Sequence, residues 1–387
     1  MFTPELIEKF KKHPTPFYYY DLELLEKNLQ LLKSTAASYG YQVHYALKAN
    51  ADARILQRIR DYGFGADCVS GNEVQRALQA GFPSKKIVFA GVGKTNAEIL
   101  LALENQIHSL NCESYQELEV VNSLSKERGG ITPVSLRLNP GLDAKTHRYI
   151  TTGLEENKFG INQVEFDQIM KHLDSFTHLK VIGLHFHIGS QITDLAVFKN
   201  LCLKVNAIQD LLEKKYQLHL EHLNLGGGLG VDYHHPDEHP LPDYKGYFQT
   251  IQNYLKVSPN QTVHFELGRA IVAQCGTLIS RVLYVKNGNH TQFAILDAGM
   301  TELIRPALYH GFHKIENLTG SGKPQAYDVV GPVCESSDFF GKSVILPETR
   351  RGDLMAIRSV GAYGEVMASR YNLRDPAKVV YSDSIED

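Results

Sequence analysis

His44-Tyr45-Ala46-Leu47-Lys48-Ala49-Asn50 is a short apolar run that ends abruptly on a lysine. Bounded apolar runs of this length, followed by a helical pattern, read as buried strands, and Asp52 to Tyr62 supplies the helix. Similar runs recur near residues 64–69, 86–90, 108–112, 133–138, 180–187, 219–225 and 262–266. The segments between them read mostly as amphipathic helices, Glu73 to Ala80 and Leu195 to Tyr216 among them. Eight strands alternating with helices over about 230 residues predict a (β/α)8 TIM-like barrel rather than an open doubly wound sheet. Ahead of the barrel, Phe17-Tyr18-Tyr19-Tyr20-Asp21 reads as a further strand, with Asp21 able to cap a helix to about Ala37. From about Thr277 the strand signals are no longer followed by long helices: Thr277 to Val285, Gln292 to Leu296, Asp328 to Val330 and Leu354 to Arg358. The change predicts a C-terminal, mostly-β domain, a β-sandwich or Greek-key-like barrel. The expected division is a barrel over 22–268 and a β-domain from 1–21 plus 269–387.

Bulk properties narrow the class. With 43% hydrophobic and 21% charged residues, the 387-residue chain matches a soluble globular protein. A net charge of -3 gives no reason to invoke nucleic acid or an anionic membrane. Five cysteines without Cys-x-x-Cys spacing argue against a disulfide framework or structural zinc and suit a reducing cytosol. Met1 to Pro16 shows no apolar signal core, and no apolar run is long enough to span a bilayer. A cytoplasmic protein is expected.

Barrel enzymes assemble their sites at the carboxyl ends of the strands, and four unusual features fall there. Lys48 closes the first barrel strand; a desolvated stem would lower its pKa and make it an amine nucleophile toward an aldehyde. Strand alternation sends His185 and His187 of Leu184-His185-Phe186-His187-Ile188-Gly189-Ser190 to one face. The pair has no third metal ligand at suggestive spacing, so an imidazole stacked on an aromatic cofactor fits better than a metal site. Gly226-Gly227-Gly228-Leu229-Gly230 is neither a Rossmann nor a P-loop fingerprint, since Val231 takes the last glycine place and the phosphate-binding lysine is missing. It still lets backbone N–H groups approach a phosphate, or it is a plain tight turn. Glu266-Leu267-Gly268-Arg269 offers either an ion pair at the rim or a carboxylate facing a pyridinium nitrogen.

These motifs together closely resemble the diaminopimelate decarboxylase family, within the fold-type III pyridoxal-phosphate enzymes that include ornithine decarboxylase and alanine racemase. The likeness runs in order through Tyr45-Ala46-Leu47-Lys48-Ala49-Asn50, Gly65-Ala66-Asp67-Cys68-Val69-Ser70-Gly71, His185-Phe186-His187-Ile188-Gly189-Ser190-Gln191 and Asn224-Leu225-Gly226-Gly227-Gly228. Glu266-Leu267-Gly268-Arg269, Arg305-Pro306-Ala307-Leu308-Tyr309, Cys334-Glu335-Ser336 and Gly361-Ala362-Tyr363-Gly364 complete it. The resemblance implies pyridoxal 5'-phosphate as cofactor, with Lys48 as its Schiff-base lysine, His187 stacked on the ring, Glu266 on the ring nitrogen and Asp67 among the cofactor contacts. It implies a phosphate held by Ser190, Gly227, Gly228, Gly268, Arg269 and Tyr363. Arg269, Arg305, Tyr309 and Tyr363 would bind substrate, Glu335 would take its distal amine, and Cys334 would donate a proton to the carbanion. A homodimer with shared active sites follows from the same likeness, Cys334 and Glu335 reaching the neighbouring subunit's site.

The implied reaction converts meso-2,6-diaminopimelate to L-lysine and carbon dioxide. A diamino diacid matches the arginines and Glu335, whereas ornithine or arginine would leave buried guanidinium groups unmatched. Decarboxylases of ornithine, arginine or carboxynorspermidine are the nearest rivals. An alanine-racemase-like activity would need a tyrosine base in place of the cysteine. An inactive cofactor-binding homologue would be expected to lack Lys48, Glu266 or Cys334. Two positions depart from the family pattern, Leu267 where proline is common and Asn72 where a second glycine is usual; both bear on local loop geometry. The long segment from Pro140 to Phe159 is the expected lid.

Overall fold

The computed structural model describes residues 2–139 and 158–385, so most of the expected lid lies outside the described residues. After an N-terminal strand β1 (Phe17–Tyr20) come eight parallel strands. They are β2 (Gln42–Ala46), β3 (Gly65–Cys68), β4 (Ile87–Phe89), β5 (Ser109–Cys112), β6 (Thr132–Arg137), β7 (Leu179–His185), β8 (His222–Asn224) and β9 (Thr262–Leu267). Each pairs with the next and β9 pairs back onto β2, closing the predicted barrel. Helices begin just beyond several strand ends because polar caps start them there. Asp52 accepts from the Arg54 and Ile55 N–H groups, Ser70 from Glu73, and Ser114 from Glu117. Each such cap contributes about 1 kcal/mol.

Strand periodicity sorts the barrel side chains by polarity. One face of each strand is apolar and sealed: Tyr45, Cys68, Leu110, Leu136, Leu184 and Phe265 are at most 1% exposed. On most strands the alternate positions include polar residues that turn inward, while β4 (Ile87–Phe89) is apolar throughout. Asn111 on β5 reaches Glu266 on β9, and Ser135 on β6 reaches His222 on β8, bonds between non-neighbouring strands that cross the interior. Asp67, Asn111, Arg137, His185, Asn224 and Glu266 form the layer near the carboxyl ends. Two residues earlier on the same strands, Ser109, Ser135, His222 and His264 form a second polar layer, joined by His44 and His108. Burial pushes these imidazoles toward the neutral form, His44 to about 4 and His222 to about 3.

The chain clusters into two compact units. One comprises Leu29–Gly230 and Asp243–Gly268, the barrel; the other comprises residues up to Asn28, Val231–Pro242 and the chain from Arg269 onward. The start of the helix Leu22–Ser38 falls in the second unit because the Asn28 amide donates to the Ala270 and Ile271 carbonyls. Val231–Pro242, which strand counting alone leaves inside the barrel region, is tied there by Gln274 donating to the Asp232 carbonyl and Arg358 to Asp237.

In that second unit β10 (Gly276–Asn287) is the spine. The remaining strands are β11 (Gln292–Leu296), β12 (Ile315–Asn317), β13 (Gln325–Val330), β14 (Phe339–Leu346), β15 (Leu354–Ile357) and β16 (Lys378–Tyr381). The first part of β10 pairs with β1 and β15, and its second part with β11, across an irregularity at Val282 to Tyr284. The N-terminal strand therefore joins the β-sheet, between β10 and β16. Its core gathers Phe10, Phe17, Tyr19, Ile279, Leu354 and Ala356. Among the described residues no helix is long and apolar enough to cross a membrane.

Phe10 stacks edge-on against Tyr19 at 4.9 Å and Phe17 at 5.6 Å. Phe10→Ala should therefore lower the unfolding free energy of the β-unit by about 3–5 kcal/mol, as a large cavity does. Urea unfolding followed by circular dichroism checks this; a loss under about 1 kcal/mol would mean that the helix Pro4–Lys12 packs weakly.

Candidate active site

The carboxyl ends of the barrel strands surround a cavity of about 760 Å³ lined by Lys48, Lys94, Arg137, His185, His187 and Glu266 among others. Lys48 lies in a 3-10 turn, Leu47–Ala49, directly after β2. The turn is pinned because the Tyr45 hydroxyl donates to the Asn50 carbonyl at 2.8 Å and the Asn50 N–H to the Leu47 carbonyl at 3.0 Å. The Lys48 side chain keeps 37% exposure, so it stands at the cavity mouth and is less desolvated than a strand-end lysine was expected to be. Its Nζ is 3.8 Å from Asp67 Oδ2, and Asp67 is 1% exposed. Burial first, then the neighbouring Glu266 charge, pushes the Asp67 carboxyl up to about 8.

Glu266 is the most constrained group of the site. Asn224 Nδ2 donates to Oε1 at 2.7 Å, Asn111 Nδ2 to the same oxygen at 3.2 Å, and His185 Nε2 to Oε2 at 2.8 Å. Burial raises the Glu266 pKa, opposed by Lys48 and by the Asn224 hydrogen bond. Burial also holds His185 far below its ordinary range and His187 at about 3, so both rings are neutral. With His185 neutral and Glu266 ionised, the ring proton is assigned to Nε2, facing Glu266, which leaves Nδ1 as an acceptor.

The glycine turn is built for close approach. A Cβ on Gly227 would collide with the Glu266 carbonyl, and one on Gly228 would come within 2.8 Å of the Gly189 carbonyl. Asn224 Oδ1 accepts the Gly226 N–H at 2.9 Å, so one amide side chain anchors both the turn and Glu266. Among the described residues no protein acceptor meets the Gly227 or Gly228 N–H.

A second cluster forms within the β-unit. Arg269 Nη1 and Arg305 Nη1 both donate to the Tyr233 hydroxyl, at 2.5 and 3.2 Å. Arg305 also donates to His313 Nε2 at 2.7 Å, while His313 Nδ1 donates to the Arg358 carbonyl. The Arg269 guanidinium lies over the Tyr363 ring at 4.8 Å. Burial, then the like charge of Arg269, lowers the Arg305 pKa.

The donor set fits a phosphorylated pyridine aldehyde: an amine at the mouth, a carboxylate on the barrel axis, neutral imidazoles and glycine amides. His185 Nδ1 is buried without a hydrogen-bond partner among the described residues, as are the Asp67 oxygens apart from the Lys48 approach. Residues 22–273 match the pyridoxal-dependent decarboxylase, pyridoxal binding domain family. A diaminopimelate decarboxylase of Bacteroides thetaiotaomicron is 55% identical over 380 residues, covering 98% of each chain.

The chain belongs to the diaminopimelate decarboxylase family.

Among solved structures, diaminopimelate decarboxylase from Helicobacter pylori complexed with L-lysine superposes with a TM-score of 0.87 at 41% identity. That match covers 97% of this chain and 93% of the other. The M. jannaschii diaminopimelate decarboxylase in co-complex with L-lysine gives 0.87 at 34% identity, over 97% and 89%. Pyridoxal phosphate is the cofactor of this decarboxylase fold.

Of the residues singled out from the sequence, Lys48, His187 and Glu266 line the barrel cavity, Asp67 lies beside Lys48, and Gly227 and Gly228 form their turn. Ser190 is exposed just beyond His187. Arg269, Arg305 and Tyr363 belong to the β-unit cluster, and Tyr309 is exposed at the end of the helix Arg305–Tyr309. Cys334 and Glu335 are exposed, and Cys334 is the one cysteine of the five that is not buried. Leu267 is buried at the end of β9 and Asn72 is exposed in the helix Gly71–Gln79, so neither departure removes a polar contact of the site.

The sequence reading missed Asn111, Asn224 and Arg137, whose side chains hold or line the cavity. Arg137 pairs with Glu113 at 2.6 Å and lies over the Phe159 ring at 4.9 Å. A usable signal was present: polar residues close to strand carboxyl ends, two positions after another inward residue.

Replacing Asn224 with leucine removes the donor to Glu266 and the acceptor for Gly226 together. The bond to Glu266 alone, being charge-assisted, is worth roughly 1.5–3 kcal/mol, so pyridoxal-phosphate affinity should fall by at least about 10- to 100-fold. Titration of the apoenzyme by absorbance measures it; an unchanged affinity would show that the amide does not organise the site.

Proposed function

We propose that the protein decarboxylates meso-2,6-diaminopimelate to L-lysine and carbon dioxide, the final step of lysine synthesis by the diaminopimelate route. The observation that carries the substrate choice is the meeting of two guanidinium groups at the Tyr233 hydroxyl. Adjacent like charges, one of them buried, favour an anion placed against them, and a planar carboxylate suits the guanidinium fork. A diamino diacid carries such a carboxylate at its distal end as well as an amine. Ornithine carries only the amine.

Pyridoxal phosphate, when bound, supplies an aldehyde that captures the amine and a protonated ring that accepts the electron pair left by departing carbon dioxide. Lys48 contributes the amine that anchors that aldehyde, and Asp67 orients it. Glu266, fixed by Asn224, Asn111 and His185, holds the proton at the ring nitrogen. His187, neutral through burial, offers an uncharged face for stacking. The amides of Gly227, Gly228, Gly268 and Arg269, with the Ser190 and Tyr363 hydroxyls, hold the phosphate. Arg269, Arg305 and Tyr309 bind substrate carboxylate, and Glu335 takes the distal ammonium. Cys334 would give its thiol proton to the carbon after carbon dioxide has left it.

The exposure of Cys334 and Glu335 supports a homodimer in which each chain completes its partner's site. The scattered cysteines and the near-neutral charge balance support a cytoplasmic location.

The purified holoenzyme should release lysine and carbon dioxide from meso-diaminopimelate, lose both with Lys48→Ala, and leave ornithine essentially untouched. Efficient turnover of ornithine would overturn the reading of the arginines. Arg305→Leu should raise the KM for diaminopimelate by about 100-fold or more, the loss expected when a charged hydrogen-bonded partner disappears. Mixing inactive Lys48→Ala and Cys334→Ala dimers should restore about a quarter of the activity if sites are shared and subunits exchange at random. No recovery after verified subunit exchange would place each site within one chain.

A further inference from the structure

The inner layer toward the amino-terminal ends of the barrel strands contains four histidines that the decarboxylation chemistry does not use. His44, His222 and His264 are 3%, 2% and 4% exposed, and His108 stands at the edge of the group, immediately before β5. Their rings pack closely: His222 to His264 at 4.7 Å, His44 to His264 at 5.1 Å and His108 to His222 at 5.2 Å between centroids. Each of His108, His222 and His264 offers one ring nitrogen, and those three atoms lie within 4.8 Å of one another.

The barrel is shaped around these rings. Gly65 faces His44, where a Cβ would collide with the imidazole Nδ1 and with the Lys86 carbonyl. A Cβ on Gly183 would come within 2.5 Å of His222 Nε2. β3 and β7, each lying beside a strand that carries one of these rings, thus forgo a side chain in the layer that the imidazoles occupy. Partners fix the ring orientations: Ser135 Oγ lies 3.0 Å from His222 Nε2, Thr262 Oγ1 is 2.8 Å from His264 Nε2, and His44 Nε2 is 2.9 Å from His264 Nδ1. His108 Nε2 is buried and has no hydrogen-bond partner among the described residues.

We propose that His108, His222 and His264 form a second, structural site for a borderline divalent transition metal, of the zinc and cobalt class, at the amino-terminal end of the barrel. Three neutral imidazoles from three separate segments, with no carboxylate among them, select such ions over magnesium or calcium. A ligating histidine is oriented by a hydrogen-bond partner on its other ring nitrogen, and the Ser135 hydroxyl, on Nε2, can serve as that partner for His222. Metal–nitrogen bonds of about 2.0–2.1 Å put tetrahedral ligand nitrogens about 3.4 Å apart, so the rings need to close by about 1.4 Å at most. His264 ligates by exchanging one of its two hydrogen bonds, and the Thr262 hydroxyl is the partner that a side-chain rotation releases. His44 or water completes the shell. The bound ion would tie β8 and β9 to the segment leading into β5, on a different layer from Glu266 and Lys48.

The test uses the pyridoxal-phosphate holoenzyme, dialysed against a chelator and titrated with cobalt(II) chloride. The expected result is one equivalent bound, visible ligand-field bands of tetrahedral intensity and a higher unfolding midpoint, with decarboxylase activity unchanged. His108→Asn, at the least buried ligand, should weaken cobalt binding by about 100-fold while keeping the activity and circular dichroism of the parent. His222→Gln serves as a second variant. Absence of saturable one-to-one binding would overturn the proposal. So would one-to-one binding that survives both variants and disappears on replacing the exposed His235 and His239, which would assign the ion to the surface.

Discussion

The site depends on one buried carboxylate held from three directions. Placing a carboxylate inside a barrel costs several kcal/mol of lost hydration, and Glu266 recovers it through Asn224, Asn111 and His185. Those donors come from β8, β5 and β7, so the carboxylate position is set by the closed sheet rather than by any loop. Asn224 extends the constraint to the glycine turn through Gly226. One asparagine therefore fixes the distance between Glu266 and the glycine turn, the groups proposed to receive the cofactor's ring nitrogen and its phosphate.

This arrangement requires an unusual barrel. Branched apolar side chains commonly fill such interiors. Here most strands turn apolar positions outward onto the helices, and many of the inward positions are Asp, Asn, Glu, His, Ser and Arg, although β4 is apolar throughout and Phe89 lines the cavity. A polar interior is stable only when its members satisfy one another. The hydrogen bonds across the interior do so for most of them, and burial keeps the histidines uncharged. Among the described residues, His185 Nδ1 and, apart from the Lys48 approach, the Asp67 oxygens are without partners in the carboxyl-end layer, where a ligand can complete them, and His108 Nε2 is the unpartnered ring nitrogen of the other layer.

Much of this was legible in the sequence. The eight apolar runs fall on the eight barrel strands, because outward-facing residues make a clear signal at strand spacing. Lys48, His187 and Glu266 stood out because charged or aromatic polar residues at strand ends are conspicuous. Asn111 and Asn224 were not conspicuous, since a single asparagine near a strand end also reads as a turn residue. Their importance arises from Asn111 and Glu266 lying 155 positions apart and meeting only once the barrel closes. The clustering of Val231–Pro242 with the β-unit was hidden for the same reason: Tyr233 and Asp237 find partners at Arg305 and Arg358, far along the chain.

The central claim is that Glu266, locked by its three donors, keeps the cofactor ring nitrogen protonated. The most direct measurement is the nitrogen-15 NMR shift of holoenzyme loaded with ring-labelled pyridoxal phosphate at neutral pH. The account predicts a protonated, pyridinium-type shift that moves to the unprotonated range in Glu266→Gln. An unprotonated ring nitrogen in the parent protein would contradict it.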